Sequence, residues 1–243
     1  MDDLTTLEKI ALLTIGITSH NIKQQVPNDI HTSNLFIPSN NLKSQSYLNE
    51  IQKWTTNQKM VLNEEKTKSM IFNFNRTKQF STRLNLNNNN IEQVKSIKLL
   101  GTYITDDLKW NMNTKFLVKR AYSRMELLRQ LTNFTKSKKD KLQIYKVYIR
   151  SVLEQSSVVW GSSLSKKNER ELERVQKVAV RLIMGKYDSY EESLKSLKLQ
   201  SLKERRNLLS VNFAKKCLKN ENTKSIFKKN TKVQSSELNM QRL

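Results

Sequence analysis

The sequence predicts an α+β fold, in which short antiparallel strands are followed by a bundle of helices. The chain has 243 residues but only four glycines and two prolines, too few for the many tight turns of a β-sandwich or barrel. Apolar residues alternate with a period of two in much of the first 110 residues and recur with a period near 3.6 after them. The first pattern is typical of strands, and the second is typical of amphipathic helices.

The first 62 residues predict little regular structure before one helix. Residues 4–17 are apolar with threonines, which favours a short strand end running into a helix. Residues 18–46 hold both prolines and both histidines and predict an irregular loop. Residues 47–62 predict an amphipathic helix, with apolar positions at Leu48, Ile51, Trp54 and Val61.

Strands and tight turns are predicted next. Residues 63–66 predict a turn, and residues 67–74 predict a strand with Met70, Phe72 and Phe74 on one side. Four consecutive asparagines at 87–90 predict a hairpin turn between 84–86 and 91–94. Another strand pair is predicted within 97–104, ending at the acidic turn Asp106-Asp107.

The remainder of the chain predicts helices whose apolar stripes form a core. The stripes are Leu117, Ala121, Leu128 and Leu131; Leu142, Tyr145, Ile149 and Val152; Leu172, Val175, Ala179 and Ile183; and Leu208, Val211 and Leu218. Cys217 is expected to be a buried structural thiol. The polar, basic segment from about residue 220 is expected to be disordered.

The charge of the chain indicates a polyanionic partner. The net charge is +22, of which residues 1–100 carry +4 and residues 101–243 carry +18. Such a basic excess favours nucleic acid as the ligand, with a solvated lysine-rich face as the alternative. The single cysteine excludes an intramolecular disulfide and a cysteine-based zinc site.

The chain is expected to be intracellular, in the nucleus or cytoplasm, and not to associate with membranes. No apolar stretch approaches the ~20 residues of a membrane span. Two aspartates follow Met1, where a signal peptide would have basic and then apolar residues.

A series of short motifs resembles one family. The series runs through Met1-Asp2-Asp3, Ile51-Gln52-Lys53-Trp54, Asn63-Glu64-Glu65-Lys66-Thr67, Leu99-Leu100-Gly101, Asp107-Leu108-Lys109-Trp110, Tyr148-Ile149-Arg150-Ser151, Leu172-Glu173-Arg174-Val175-Gln176 and Arg205-Arg206. In this order it resembles the palm end and thumb of non-LTR (LINE-like) retrotransposon reverse transcriptases, over about residues 1–218. The resemblance implies the C-terminal part of a polymerase palm at 1–110, a helical thumb-like domain at 111–219 and a basic tail at 220–243.

The resemblance also implies catalytic roles. Asp2 and Asp3 would be the paired carboxylates that bind Mg²⁺ for nucleotide addition. Lys66 would stabilise phosphate charge near the nucleotide, although a surface lysine is an equal alternative. Leu100 and Gly101 would form the primer grip, with a simple strand kink as the alternative for Gly101. Asp106-Asp107 is interpreted as a turn and not as a second active site.

The expected partners are an RNA template and a DNA primer, or an RNA–DNA duplex, with an upstream polymerase half as a further candidate. Contacts to the nucleic-acid backbone position a duplex without reading its sequence. About half of the candidate residues are expected to be only solvated. The candidates are Lys119, Arg120, Arg124, Lys138, Lys139, Lys141, Arg150, Arg205 and Arg206.

The expected function is therefore that of a fragment of an RNA-directed DNA polymerase. It is expected to be inactive alone, because the fingers and the first palm aspartate would precede Met1. The alternative is a non-catalytic basic helical nucleic-acid-binding protein or an inert transposon remnant. Residues 118–156 are also similar to a helical module of AlkB-type dioxygenase homologues, but that chemistry needs two histidines and a carboxylate around iron. His20 and His31 lack that pattern, so an oxygenase is rejected.

Overall fold

The computed structural model describes residues 9–19, 30–38, 41–73, 83–134, 137–185 and 189–224 of the chain. In these residues the fold is a mixture of helices and strands, as the sequence predicts. The chain forms two compact units, Met1–Arg120 with Ser165–Asn168, and Ala121–Leu164 with Glu169–Leu243. The boundary between them falls inside a long helix that begins at Asn111.

The first unit contains the strands, one complete helix, the start of a second and the first three residues of a helix that lies mostly in the second unit. In chain order these are β1 (Lys9–Ser19), β2 (Ile30–Pro38), α1 (Asn41–Asn57), β3 (Met60–Asn73), β4 (Asn85–Leu86), β5 (Asn89–Asn90), β6 (Glu92–Gln93), β7 (Ser96–Leu99), β8 (Thr102–Thr105) and the first turns of α2 (Asn111–Phe134). Four strands form one sheet in the order β2-β1-β3-β6, in which β1 is antiparallel to both neighbours and β6 is parallel to β3.

Two predictions for the start of the chain are wrong. Residues 9–19 form β1 and not the start of a helix, and the predicted irregular loop contains β2 and the start of α1. The stretch that forms β1 is rich in isoleucine and threonine, which fit a strand with partners on both sides. Pro38 ends β2 at the edge of the sheet, where a missing backbone donor is tolerated.

Helix α1 packs on β3 and on the asparagine-rich hairpin. It covers residues 41–57, so the predicted helix is shifted by several residues and Val61 belongs to β3. One core cluster unites the three segments and consists of Leu48, Leu62, Leu84, Leu86 and Ile91. Trp54, which the predicted apolar stripe included, is instead exposed.

The predicted turn at residues 63–66 is a bulge within the long strand β3. Pairing with β1 passes from Gly16↔Asn63 to Thr14↔Lys68, so several β3 residues lie outside the ladder. Asn63 Oδ1 accepts a hydrogen bond from the Lys66 backbone N–H at 3.0 Å, and the Asn63 backbone carbonyl accepts one from Thr67 Oγ1 at 2.6 Å. Beyond the bulge, Met70 and Phe72 are buried against Val94, Ile97 and Ile104. Phe74 lies outside the described residues.

The predicted strand pair within 97–104 is confirmed, whereas in the asparagine hairpin only Asn87 and Asn88 form the turn, Asn89 and Asn90 form the second strand, and the predicted arm at 91–94 contains β6, which pairs with β3. Strand β4 pairs with β5 around Asn87 and Asn88, whose φ angles are 51° and 67°. Strand β7 pairs with β8 around Leu100 and Gly101, whose φ angles are 47° and 83°. Positive φ at both central residues is the signature of the type I′ turn, whose twist matches that of paired strands.

The second unit is helical. Besides the rest of α2 it holds α3 (Lys138–Ile144), a π-helical turn (Tyr145–Arg150), α4 (Ser151–Leu153), α5 (Ser157–Trp160), a 3₁₀ turn (Gly161–Ser163), most of α6 (Lys166–Met184), α7 (Tyr190–Ser196), α8 (Leu202–Lys219) and α9 (Glu221–Lys224). The predicted stripes at the centres of α2 and α6 are buried, as are Tyr145, Ile149 and Val152. The side chains of Ser137, Ser189 and Ser201 cap the N-termini of α3, α7 and α8, and Ser201 forms a full capping box with Glu204.

The prediction for α8 is wrong. Leu208, Val211 and Leu218 are all exposed, because the buried side of this helix carries Leu202 and Arg206 instead. Cys217 is a free thiol that is only partly buried. Residues 221–224 form the short helix α9, and the rest of the predicted disordered tail lies outside the described residues.

Candidate nucleic-acid interface

The tip of the β7–β8 hairpin presents the two residues predicted as the primer grip. Leu100 is 74% exposed, the most of any large apolar residue on this hairpin. Gly101 follows it at φ 83°, a conformation that strains any residue with a Cβ. The turn therefore brings backbone and one apolar side chain to the surface, with no bulky side chain at position 101.

Aromatic and cationic side chains fix this hairpin to α2. The rings of Tyr103 and Phe116 meet edge to face with centroids 5.1 Å apart. The Lys98 ammonium lies 4.6 Å from the Phe116 ring centre and 5.6 Å from that of Tyr103. The Tyr103 backbone N–H donates to Asn113 Oδ1 at 3.1 Å. These contacts hold the hairpin and the first turns of α2 as one surface.

Two predicted phosphate ligands extend that surface. Lys119 and Arg120 are exposed and lie three and four residues after Phe116, so helical geometry places them on its side of α2. We call this set the β7–β8 surface. It consists of Lys98, Leu100, Gly101, Tyr103, Phe116, Lys119 and Arg120.

The neighbouring acidic pair has the geometry of a turn. Asp107 Oδ1 accepts hydrogen bonds from Thr105 Oγ1 at 2.7 Å and from the Lys109 backbone N–H at 3.0 Å. Partial burial alone would raise the pKa of Asp107, but these hydrogen bonds and the Lys109 ammonium together lower it. A carboxylate committed to its own turn is a poor metal ligand.

The residues that the sequence predicts to be catalytic can be placed only in part. Lys66 is exposed and lies in the β3 bulge, where its backbone N–H is bound by Asn63. Asp2 and Asp3 lie outside the described residues. Their Mg²⁺ site, and the distance from it to Lys66, therefore stay predictions. Among the residues that the structure does describe, no group of three or more His, Cys, Asp or Glu is placed to hold a metal ion.

Three predicted cations of the second unit are at least partly accessible. Lys138 and Lys139 are exposed in the first turn of α3. The Arg124 guanidinium lies 4.5 Å from the centre of the Tyr148 ring and donates to the Tyr148 carbonyl at 2.7 Å. Arg124 thus has a structural contact whether or not it also meets phosphate.

Four other predicted phosphate ligands are partly or fully buried. Arg205 forms a bidentate pair with Glu154: its Nε donates to Oε1, and its Nη2 donates to Oε2 at 2.9 Å. Hydrogen bonding to Glu154 raises the pKa of Arg205. Arg150 Nε lies 3.6 Å from the same carboxylate. Arg206 and Lys141 are only 2% and 7% exposed. Burial lowers the pKa of Arg206, although Glu169 lies 3.9 Å away. Such side chains are poorly placed to reach a ligand.

A stripe of cations on α6 is not among the predicted site residues. Arg170, Arg174, Lys177 and Arg181 are all exposed and follow one another at intervals of four, three and four residues. This is the spacing of one helix face. The signal was available in the sequence, because these positions lie opposite the apolar stripe that was recognised as core.

Comparisons with protein-family models, with curated proteins and with solved structures found no match to this chain. In the described part of the chain, the helices are too short or too polar to cross a membrane.

Proposed function

We propose that this chain belongs to an RNA-directed DNA polymerase of the non-LTR retrotransposon lineage, and that its β7–β8 surface holds a primer–template duplex. The observation that carries the proposal is the exposed Leu100 at the tip of a hairpin that Lys98 and Tyr103 fix to α2, the helix that also presents Lys119 and Arg120. The motif series along the chain supplies the lineage, and the geometry of this surface supports the binding role.

The chemistry of the surface suits a nucleic-acid backbone. Exposed Lys and Arg side chains neutralise phosphates and release counterions, which supplies most of sequence-independent affinity. Gly101 has no Cβ, so a ligand can approach the partly exposed backbone of the turn closely. The Tyr103 and Phe116 rings hold the exposed Lys98 ammonium between the hairpin and α2.

In the catalytic part of the proposal, Asp2 and Asp3 would hold Mg²⁺, which activates the primer hydroxyl and neutralises the leaving pyrophosphate. Lys66 would stabilise phosphate charge from its exposed position on β3. A non-catalytic nucleic-acid-binding protein is the second candidate. It is favoured by the composition of the β7–β8 surface, which has cations that can bind phosphates but no carboxylate that could hold a catalytic metal ion.

Binding of an RNA–DNA hybrid with a recessed primer end tests the surface. In the variant Lys98→Gln with Lys119→Gln and Arg120→Gln, we expect the slope of log affinity against log salt to fall by about 3, one for each lost phosphate contact. The control removes the same charge from exposed positions of the same unit, with Lys53→Gln, Lys59→Gln and Arg83→Gln. Fluorescence anisotropy over a salt series measures both.

The outcomes separate the two candidates. Equal losses in the two triple variants would remove the β7–β8 surface from the proposal. Templated primer extension that is abolished by Asp2→Asn with Asp3→Asn would support the polymerase. Hybrid binding without extension would favour the non-catalytic candidate, and absence of binding at low salt would overturn both.

A further inference from the structure

We propose that the exposed face of α6 is a separate binding site for one phosphate backbone of a nucleic-acid duplex. The inference rests on the proposed function only for the class of ligand. The site uses none of the residues of the β7–β8 surface and belongs to the second unit. We call it the α6 stripe, and it consists of Arg170, Arg174, Lys177 and Arg181.

The four cations form a line on the helix. Their spacing keeps them within a narrow sector of the helix surface. Arg181 lies eleven positions after Arg170, which is about 16 Å along the helix axis at 1.5 Å per residue. A strand of duplex presents a phosphate about every 3.4 Å of its axis, so the line spans several phosphates of one strand.

The opposite face of α6 fixes the stripe in place. Leu172, Val175, Ala179 and Ile183 are almost fully buried in the core of the unit. No large apolar residue of this helix is exposed among those that the structure describes. A helix that lies on a membrane needs a free apolar face to insert. The apolar face of α6 is already buried in the core of the unit, which favours a nucleic-acid backbone over a lipid surface as the ligand.

Two glutamates of α6 that flank the stripe have partners on other helices. Glu173 accepts from the Tyr190 hydroxyl and from the Leu202 backbone N–H at 3.1 Å. Glu169 lies 3.4 Å from the Lys203 ammonium of α8. Their carboxylates are thus held by α7 and α8 residues, and the stripe itself contains no acidic residue.

The side chains of the stripe suit phosphate more than base edges. Three are arginines, whose planar guanidinium matches two phosphate oxygens at once. The fourth, Lys177, has its ammonium 4.9 Å from the centre of the Tyr190 ring, which restricts where the charge sits. A row of cations on a convex helix face contacts the backbone without reading bases, so we expect little sequence preference.

The test uses the full chain with the four stripe residues changed to glutamine, which keeps helix propensity high. The control removes four charges from other exposed positions of the second unit, with Lys195→Gln, Lys198→Gln, Lys215→Gln and Lys216→Gln. We expect the stripe variant to reduce the salt slope of binding to a 20-base-pair RNA–DNA hybrid by about 3 to 4. The control should reduce it far less. Circular dichroism and thermal melts establish that both variants fold.

Three outcomes would be decisive. If the stripe and control variants lose affinity equally, the stripe is only a solvated face and the inference is overturned, whatever the β7–β8 variant shows. If the stripe variant alone weakens binding, the inference stands even where the β7–β8 variant has no effect and the proposed function fails. If the stripe governs binding to phosphatidylserine vesicles as strongly as to the hybrid, the ligand is an anionic surface in general and the proposed specificity is wrong.

Discussion

Buried polar residues in the second unit form a closed network. The Tyr145 hydroxyl donates to Gln176 Oε1, and Gln176 Nε2 donates to the Tyr190 hydroxyl at 2.9 Å and to the Gln200 carbonyl at 3.0 Å. Tyr190 in turn donates to Glu173. Each donor has an acceptor inside the unit, as buried polar groups require. These residues link α6 with α7 and with the turn after α3, and they stabilise the fold without forming a reactive site.

This network makes stability sensitive to alkaline pH. Burial is the main cause that raises the pKa of both Tyr145 and Tyr190 well above the usual value of 10.0. The unfolded chain then loses these protons near pH 10 while the folded chain keeps them. The stability that they contribute is complete below pH 10 and falls as pH rises above it, by about 1.4 kcal/mol per pH unit for the buried Tyr145 and by less for Tyr190, which is partly exposed to solvent.

Urea unfolding of the wild type and Tyr145→Phe between pH 8 and 11 measures this effect. At pH 8 the variant should be less stable by about 1 kcal/mol, because Gln176 loses a donor. Above pH 10 its stability should fall less steeply than that of the wild type, so the two curves converge. Parallel curves over the whole range would show that Tyr145 ionises equally in both states.

Single residues also show where prediction from sequence stops. The Arg205-Arg206 pair looked like a phosphate site, yet Arg205 binds Glu154 and Arg206 is buried, with its Cδ 3.2 Å from where a Cβ on Gly161 would lie. Consecutive helix residues point about 100° apart, and their neighbours come from helices that are distant in sequence. Composition reveals the charge of a side chain but not which charges the core encloses.

At the scale of elements, local signals were sufficient for the hairpins and not for the first strands. The asparagine run favours positive φ at its two central residues, and Gly101 adopts positive φ without steric cost. By contrast, β1 depends on pairing with β3, whose residues follow it by about fifty positions. The exposed stripe of α8 has a related cause, since periodicity identifies an amphipathic face but not whether another element covers it.

The asparagine hairpin gives a prediction at this scale. Asn88 has φ 67°, which glycine adopts with no steric cost. We expect Asn88→Gly to leave the free energy of unfolding unchanged or to raise it by about a few tenths of a kcal/mol. Asn88→Val should lower it by about 1 to 2 kcal/mol. Asn90→Gly is the matched control, because this residue is paired in β5 and glycine weakens a strand. Chemical denaturation measures all three, and equal losses for the two glycine variants would contradict a type I′ turn.

The charge of the whole molecule opposes its own folding. At +22, like charges repel one another in the compact state more than in the expanded one. Salt screens this repulsion within a Debye length of about 10 Å at 0.1 M, so added salt should raise the thermal midpoint. A ligand with closely spaced negative charges should act more strongly, since it also binds the folded surface.

Thermal unfolding in the presence of an RNA–DNA hybrid separates these two effects. A ligand that binds only the folded chain stabilises it by about 2.7 kcal/mol when its free concentration is 100 times the dissociation constant. We expect the hybrid to raise the midpoint well beyond the effect of sodium chloride at matched ionic strength, and the excess to disappear in about 0.5 M salt, because counterion release then no longer favours binding. Neutral dextran of equal mass should leave the midpoint nearly unchanged. A hybrid effect no larger than that of matched salt would mean that the positive charge is only screened and forms no binding surface, which would count against both the β7–β8 surface and the α6 stripe.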